Sequence, residues 1–245
     1  MTWHLGRLTG FDLETTGVDV ETDRIVTACV VQVGAGQPAQ IANWMSDVDG
    51  VEIPAGATAV HGITTEQARA DGRPAAEVVE QVVAALAEAA LGGAPIVAMN
   101  AAFDLTMLDR EARRHRVMPL ADRVGDQLRV IDPRVLDKEI DRFRRGGRKL
   151  EDLCRTYGVR LDGAHSADAD AIAACRVAWR IASTKPKVGG ASLDDLHAWQ
   201  VQWAREQAEG LADYFRRTPG KEQQEDGVRG DWPYIPAQRA DGDAS

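Results

Sequence analysis

Residues 8–17, LTGFDLETTG, decide the fold, because an apolar run here leads directly into a turn. The run from Leu8 to Leu13 predicts a buried strand, and Thr15-Thr16-Gly17 predicts the turn that ends it. Alternate side chains of a strand point to the same face, so Asp12 and Glu14 are expected to project together. Two adjacent carboxylates repel each other at neutral pH unless a cation lies between them. The stretch therefore predicts a sheet strand whose two carboxylates fit either half of a metal site or a solvated strand face.

The following segments predict an α/β domain with a mixed central sheet flanked by helices. Residues 25–33 are rich in β-branched side chains and 40–45 form a third candidate strand, with a Gly-Pro turn between them. An antiparallel meander is therefore expected first, and alternating helices and strands after it. The later elements expected are helices over 74–91, 103–117, 133–143, 150–157 and 167–183, and strands over 95–99 and 128–131.

The chain is expected to form one large domain over 1–183 with a C-terminal helical extension. Its 245 residues are enough for one substantial core. Residues 184–191 have the composition of a linker, and apolar residues at helical spacing predict a docked helix over 192–218. Residues 219–245 are mostly polar and predict either a disordered tail or a docking tail.

Composition indicates a globular protein of the cytoplasm. Hydrophobic residues make up 44% and charged residues 27%, and no stretch approaches the roughly 18 apolar residues of a membrane span. The start of the chain has no recognisable secretion signal. Cys29, Cys154 and Cys175 are odd in number and have apolar neighbours, so buried free thiols in a reducing compartment are expected.

The charge distribution does not decide the partner. The net charge is −9, but residues 101–160 hold 15 Lys and Arg against 11 Asp and Glu, a balance of +4, so the other residues sum to −13. The two basic clusters there comprise Arg110, Arg113, Arg114 and Arg116, then Arg142, Arg144, Arg145, Arg148 and Lys149. Such clusters fit a solvated surface as well as a nucleic-acid contact.

Two further motifs place acidic residues at helix starts. Residues 100–104, NAAFD, lie where a buried strand passes into a helix, and Asp104 there fits a helix cap as well as a site. Residues 165–170, HSADAD, enter the late helix and place Asp170 near His165. Each motif alone is weak evidence, and the combination with Asp12 and Glu14 favours a site.

In this order, the motifs resemble those of the DEDDh subgroup of the DnaQ-like 3′–5′ exonuclease superfamily. Residues 11–17 are similar to its first motif, 100–104 to its second, and His165-x-Ala-x-x-Asp170 to its histidine-type third motif. Residues 60–64, VHGIT, resemble a family segment near the terminal nucleotide. The resemblance covers about residues 7–183, is strongest to the proofreading ε subunits of bacterial DNA polymerase III, and implies an RNase H-like fold.

The resemblance implies a two-metal nuclease site. The implied ligands of two Mg²⁺ or Mn²⁺ ions are Asp12, Glu14, Asp104 and Asp170, whose oxygen atoms suit hard cations. His165 would take the proton of the attacking water. The candidate contacts to the terminal nucleotide are Thr15, His61, Asn100 and Phe103, and those to upstream phosphates are Arg148 and Lys149. The expected reaction releases 5′-mononucleotides from a single-stranded or frayed 3′ end of DNA, in proofreading or repair.

Other functions remain open at this stage. Oligoribonucleases and RNase T resemble the same motif set, so RNA is the alternative substrate, and the choice depends on contacts at the 2′ position. A catalytically inactive nucleic-acid-binding scaffold is disfavoured because all five motif positions are filled, and a transposase or integrase by the motif order. The C-terminal extension does not resemble the polymerase-binding tail of ε subunits and contains no convincing sliding-clamp peptide, which leaves association with a polymerase or clamp open.

Overall fold

In the computed structural model, which describes residues 2–161 and 166–237, the strands form one five-stranded mixed sheet. The strands are β1 (Arg7–Thr15), β2 (Ile25–Gly34), β3 (Gln40–Met45), β4 (Ile96–Val97) and β5 (Val130–Ile131). Their order is β3-β2-β1-β4-β5. The first three strands form an antiparallel meander, and β4 and β5 continue the sheet in parallel to β1. The predicted meander and mixed sheet are confirmed, although β4 and β5 are shorter than the predicted strands.

The helices include each one that the sequence predicts. Those of the described residues are α1 (Ala55–His61), α2 (Thr65–Asp71), α3 (Ala75–Leu91), α4 (Ala101–Arg114), α5 (Leu120–Val124), α6 (Pro133–Ile140), α7 (Leu150–Tyr157), α8 (Ala167–Thr184), α9 (Pro186–Gly189) and α10 (Leu193–Arg217). The sequence patterns did not predict the short helices α1, α2, α5 and α9. No helix in the described part of the chain has the length and apolar content that crossing a bilayer requires.

Helix α8 packs closely across β1 on one face of the sheet. A Cβ added at Gly10 would lie 2.7 Å from the Ala171 carbonyl oxygen and 2.9 Å from Cys175 Sγ. Asp12 and Glu14 project from the same face as Gly10, because side chains of a strand alternate. The close approach at Gly10 therefore brings the start of α8 beside the two acidic side chains of β1.

The C-terminal helix α10 covers the edge strand β5. Gln200 donates its Nε2 to the Val130 carbonyl at 2.9 Å and accepts the Asp132 N–H at 2.8 Å. His197 Nδ1 accepts the N–H of Val130 at 3.1 Å. An edge strand otherwise leaves a row of backbone groups unpaired, so these side chains complete the hydrogen bonding at this edge of the sheet.

The structure differs from the predicted linker. Residues 184–191 include α9, where Val188 is buried and its carbonyl accepts a hydrogen bond from Trp3 Nε1 at 3.0 Å. The segment therefore packs against the N-terminal end of the domain, because its one branched apolar side chain is buried there.

The described part of the predicted tail is ordered and packs on the domain. A 3₁₀ helix spans Glu222–Gly227, and Trp232 is only 7% exposed. The Ile235 N–H donates to Thr106 Oγ1 at 2.9 Å, and Arg110 Nη2 donates to the Ile235 carbonyl at 2.8 Å. The described part of this segment thus contacts the domain through hydrogen bonds and through the buried side chain of Trp232.

Replacing Gly10 by Ala is expected to lower the free energy of unfolding by about 1–3 kcal/mol, because the added Cβ would force α8 away from β1. Urea denaturation of the metal-free protein measures the change. Gly56→Ala in α1 is the control, since a Cβ there meets no atom within 4 Å, and it should leave stability unchanged or higher. Equal stability of Gly10→Ala and the parent protein would refute the close approach.

Candidate active site at the end of the first strand

Three carboxylates meet at the carboxyl end of β1. Asp12 and Glu14 project from the strand, and Asp170 comes from the first turn of α8. One ligand oxygen of each residue lies within 4.8 Å of those of the other two. The fold thus brings together three of the predicted metal ligands from segments far apart in the chain.

Asp104, in the first turn of α4, lies near this cluster. It is buried, and its charge is the strongest of the neighbouring charges that raise the pKa of Asp12. Burial raises the pKa of Asp104 well above its usual range, and the charges of Asp132 and Glu14 add to the effect. Asp104 is not within the 4.8 Å group, but its charge acts on Asp12 more strongly than those of Asp170 and Glu14, so it lies beside the cluster.

Burial and mutual repulsion favour protons on these carboxyl groups. Burial, with a contribution from Asp170, raises the pKa of Glu14 to about 7. Burial and then the three neighbouring carboxylates raise the pKa of Asp12. Among the residues that the structure describes, no ion pair joins Asp12, Glu14 or Asp104 to a basic side chain. A divalent cation fits this site, because it would balance the charge and accept oxygen ligands.

Asp132 belongs to the surroundings of the site, although sequence reasoning missed it. Its buried carboxylate accepts the backbone N–H groups of Asn100, Ala101 and Arg134 at 3.2, 2.9 and 2.9 Å. Asp132 therefore holds the start of α4, which carries Asp104. The sequence shows an Asp before Pro133 at a strand end, a pattern that predicts a helix cap but not its contact with a second helix.

A cavity of about 320 Å³ lies beside Glu14, with Trp44, His61 and Asp168 in its wall. His61 Nδ1 accepts the Ile63 N–H at 3.1 Å, and the His61 ring also interacts with the backbone of Thr15. Burial lowers the pKa of His61, which favours a neutral ring at pH 7. The cavity therefore offers aromatic and imidazole surfaces next to the carboxylates.

The other predicted contacts to the nucleotide are in different environments. The hydroxyl of Thr15 donates to the Gly17 carbonyl at 2.6 Å, so it stabilises the turn. Asn100 is exposed in a left-handed conformation, with φ of 64°, and its Oδ1 accepts Arg134 Nη1 at 2.6 Å. Phe103 is partly buried and packs against the main core. The residues that line the cavity beside Glu14 do not include Thr15, Asn100 or Phe103.

His165 lies outside the described residues, as do 162–164, so its predicted role stays a prediction. The residues directly after it are described. Ser166, Ala167 and Asp168 line the cavity beside Glu14.

Arg148 has a structural position that argues against the predicted contact with upstream phosphates. Its Nε donates to the buried carboxylate of Asp137 at 2.9 Å, which also accepts Arg144 and Tyr157. Its Nη2 donates to the Asp141 carbonyl at 2.6 Å. Because a buried carboxylate is stabilised by such donors, the contacts of Arg148 have a structural role here.

The basic cluster of α4 is also paired internally. Arg110 contacts Glu21 and Asp109, and Arg113 contacts Asp109. Arg114 pairs with the buried Glu111. These pairs favour the interpretation of this cluster as a solvated and structural surface.

The comparisons with known proteins agree with this geometry. The family model described as Exonuclease, RNase T, matches residues 9–178. E. coli exonuclease I in complex with a dT13 oligonucleotide is similar in fold, with a TM-score of 0.63 and 20% identity over 75% of this chain and 42% of that chain. Exonuclease I from Methylocaldum szegediense gives a TM-score of 0.63 and 19% identity over 85% and 45% of the two chains. No curated protein sequence matches significantly.

An RNase H-like sheet with acidic residues at the end of its first strand defines the class of metal-dependent nucleases. The chain belongs to the exonuclease family, within the DnaQ-like 3′–5′ exonuclease superfamily, which confirms the predicted superfamily and fold. The comparisons do not single out the ε subunits, and the chain spans less than half the length of the exonuclease I structures.

The raised carboxyl pKa values predict how stability depends on pH. The folded protein without metal holds protons on Asp12, Asp104 and Glu14 more tightly than the unfolded chain does. The contribution of this cluster is therefore fully present below the unfolded pKa values and is lost as pH rises through about 7 for Glu14. Thermal unfolding in EDTA should show this loss, and Mg²⁺ should restore stability at the high-pH end.

Asp12→Asn tests the cause of this pH dependence. Removal of one charge should flatten the pH dependence in EDTA and raise the melting temperature at high pH by about 2–4 °C for each kcal/mol of relieved repulsion. The same substitution should weaken the stabilisation by Mg²⁺. An unchanged pH profile in Asp12→Asn would contradict carboxylate repulsion as its source.

Proposed function

We propose that the protein hydrolyses nucleic acid from the 3′ end and releases 5′-mononucleotides, with DNA as the favoured substrate. The observation on which the proposal depends is the convergence of Asp12, Glu14 and Asp170 within 4.8 Å, with Asp104 at the edge of the cluster. Proofreading or repair is the role proposed for this activity.

Asp12, Glu14, Asp104 and Asp170 would hold two divalent cations, Mg²⁺ or Mn²⁺. When bound, such ions stabilise negative charge on the scissile phosphate and lower the pKa of water. Asp12 would be central, because the charges of the other three carboxylates all raise its pKa. The oxygen-only donor set suits hard cations better than zinc. A zinc-bound form of E. coli exonuclease I with single-stranded DNA nevertheless makes Zn²⁺ worth testing.

His165 would accept the proton of the attacking water. A neutral imidazole does this near pH 7, and the position of His165 directly before Ser166 and α8 places it close in sequence to Asp170. The phosphodiester bond would break at the 3′ oxygen of the preceding nucleotide, which leaves the phosphate on the released nucleotide.

The cavity beside Glu14 would bind the terminal nucleoside. Trp44 and His61 provide ring surfaces in its wall, and stacking on rings is tolerant of base identity. Of the predicted contacts, His61 is best placed for this role. Thr15, Asn100 and Phe103 would act from outside this cavity, Thr15 through the turn and the other two at the start of α4.

DNA is favoured because E. coli exonuclease I, which shares the fold, binds a dT13 oligonucleotide. RNA remains the alternative, because the carboxylate cluster acts on the phosphate and makes no distinction at the 2′ position. We further propose that residues 1–183 form the exonuclease domain and that the extension after them folds onto it, since α10 pairs with β5.

Glu14→Gln is expected to lower kcat by about 100- to 1,000-fold, because it removes one ligand charge at the reacting phosphate. Release of mononucleotides from internally and 5′-labelled single-stranded DNA in Mg²⁺, Mn²⁺ or Zn²⁺ measures the effect. Glu88→Gln, at an exposed position of α3, is the matched control and should retain full activity.

The same assay separates the alternatives. Parallel single-stranded, mismatched and duplex DNA and a matched RNA oligomer define substrate preference, and faster hydrolysis of RNA would reject the DNA assignment. Activity that survives Glu14→Gln and Asp170→Asn would reject the carboxylate mechanism. Binding without hydrolysis under every metal would favour the scaffold.

A further inference from the structure

A second cavity, of about 570 Å³, lies between α6, α10 and the segment after α10. Arg134 and Lys138 of α6 contribute basic side chains, Phe215 of α10 contributes a partly exposed ring, and Arg229 lies on the following segment. None of these residues lines the cavity beside Glu14. The volume falls within the range of about 300–1,000 Å³ that is typical of ligand sites.

This cavity is a neighbour of the carboxylate cluster. Asn100 and Asp132 line it, and Asn100 directly precedes α4, whose first turn carries Asp104. Asp132 is close enough to Asp104 to raise its pKa. Arg134 donates to Asn100 Oδ1 at 2.6 Å. A strand whose end lies at the carboxylates could therefore continue past the start of α4 into this cavity.

The basic side chains here differ from those of α4, which pair with carboxylates. In the ranges that the structure describes, neither Arg134 nor Lys138 forms an ion pair with an acidic residue. Burial lowers the pKa of Lys138, and the charges of Arg134, Arg148 and Arg142 lower it further. A cation that is partly desolvated among other cations is stabilised when an anion binds.

Two acidic residues also line the cavity, and the charge of one of them, Asp132, interacts with that of Arg134. The carboxylate of Asp132 already accepts three backbone N–H groups. Asp231 is exposed to solvent. Three basic residues line the cavity, Arg134, Lys138 and Arg229, against two acidic residues, Asp132 and Asp231.

We propose that this cavity binds the single strand upstream of the terminal nucleotide, with Arg134 and Lys138 at its phosphates and Phe215 against a base. The proposal rests on the function proposed above. Cations beside an aromatic ring are the combination that binds single-stranded nucleic acid without sequence preference. The C-terminal extension thus supplies one wall of the substrate site, in addition to covering β5.

The test compares Lys138→Gln and Arg134→Gln on a dinucleotide and on an oligonucleotide of about twelve residues. Each substitution should raise the KM for the long substrate about ten-fold more than that for the dinucleotide, because only the long strand reaches the cavity. Each should also reduce the steepness of the plot of log affinity against log salt concentration by about 0.7, which is the contribution of one phosphate contact to a single strand. Lys138→Arg should restore both properties.

Lys185→Gln is the charge-matched control. Lys185 is exposed and follows the end of α8 opposite to Asp170, roughly 22 Å away along the helix axis. This variant should behave as the parent protein with both substrates. The melting temperature of every variant, measured in parallel, separates loss of binding from loss of folding, and Arg134→Gln changes a side chain at an exposed position.

The outcomes distinguish this proposal from the proposed function. Equal changes for long and short substrates, or none in folded variants, would overturn the upstream-strand site while leaving the exonuclease function intact. If the parent protein hydrolyses neither DNA nor RNA, the proposed function fails, and fluorescence anisotropy of labelled long and short strands still tests the cavity. If labelled strands bound equally well to the parent protein, Lys138→Gln and Arg134→Gln, the proposed role of the cavity would be rejected.

Discussion

Repulsion among carboxylates at the end of β1 is the constraint on which the rest of the structure depends. Burial and neighbouring charges raise the pKa values of Asp12, Glu14 and Asp104. The ionised carboxylates therefore repel one another at this position unless a cation is bound. The opposing force is packing of the surrounding elements, since hydrophobic burial stabilises the fold as a whole. A site of this kind favours the binding of divalent ions, because a bound cation relieves the repulsion.

Specific contacts fix the elements that bring the carboxylates together. The absence of a side chain at Gly10 lets α8 approach β1 and places Asp170 beside Asp12. Asp132 holds the first backbone N–H groups of α4 and thereby positions Asp104. A buried acid thus positions another acid through backbone hydrogen bonds, without itself belonging to the group within 4.8 Å.

The sequence predicted those features that depend on local pattern, and missed those that depend on contacts between distant segments. The long strands and helices follow from periodicity, and the acidic motifs from their order. Arg148 was assigned to phosphates because its partner Asp137 cannot be recognised from spacing. Asp132 was missed because its contact with Asn100 joins two chain segments. The role of Gln200 was not predicted, because a polar residue on a helix is usually exposed. In the structure it is fully buried against β5.

The C-terminal extension is connected to the elements that hold the site. Gln200 accepts the N–H of Asp132, the residue that positions α4. Farther along, Ile235 bonds to Thr106 and Arg110 on α4 itself. The extension therefore contacts both the strand end that orients Asp104 and the helix that carries it. Because these contacts are hydrogen bonds to buried or partly buried groups, losing them would leave polar groups unsatisfied near the carboxylates. The extension is for that reason better understood as part of the catalytic architecture than as an appended tail.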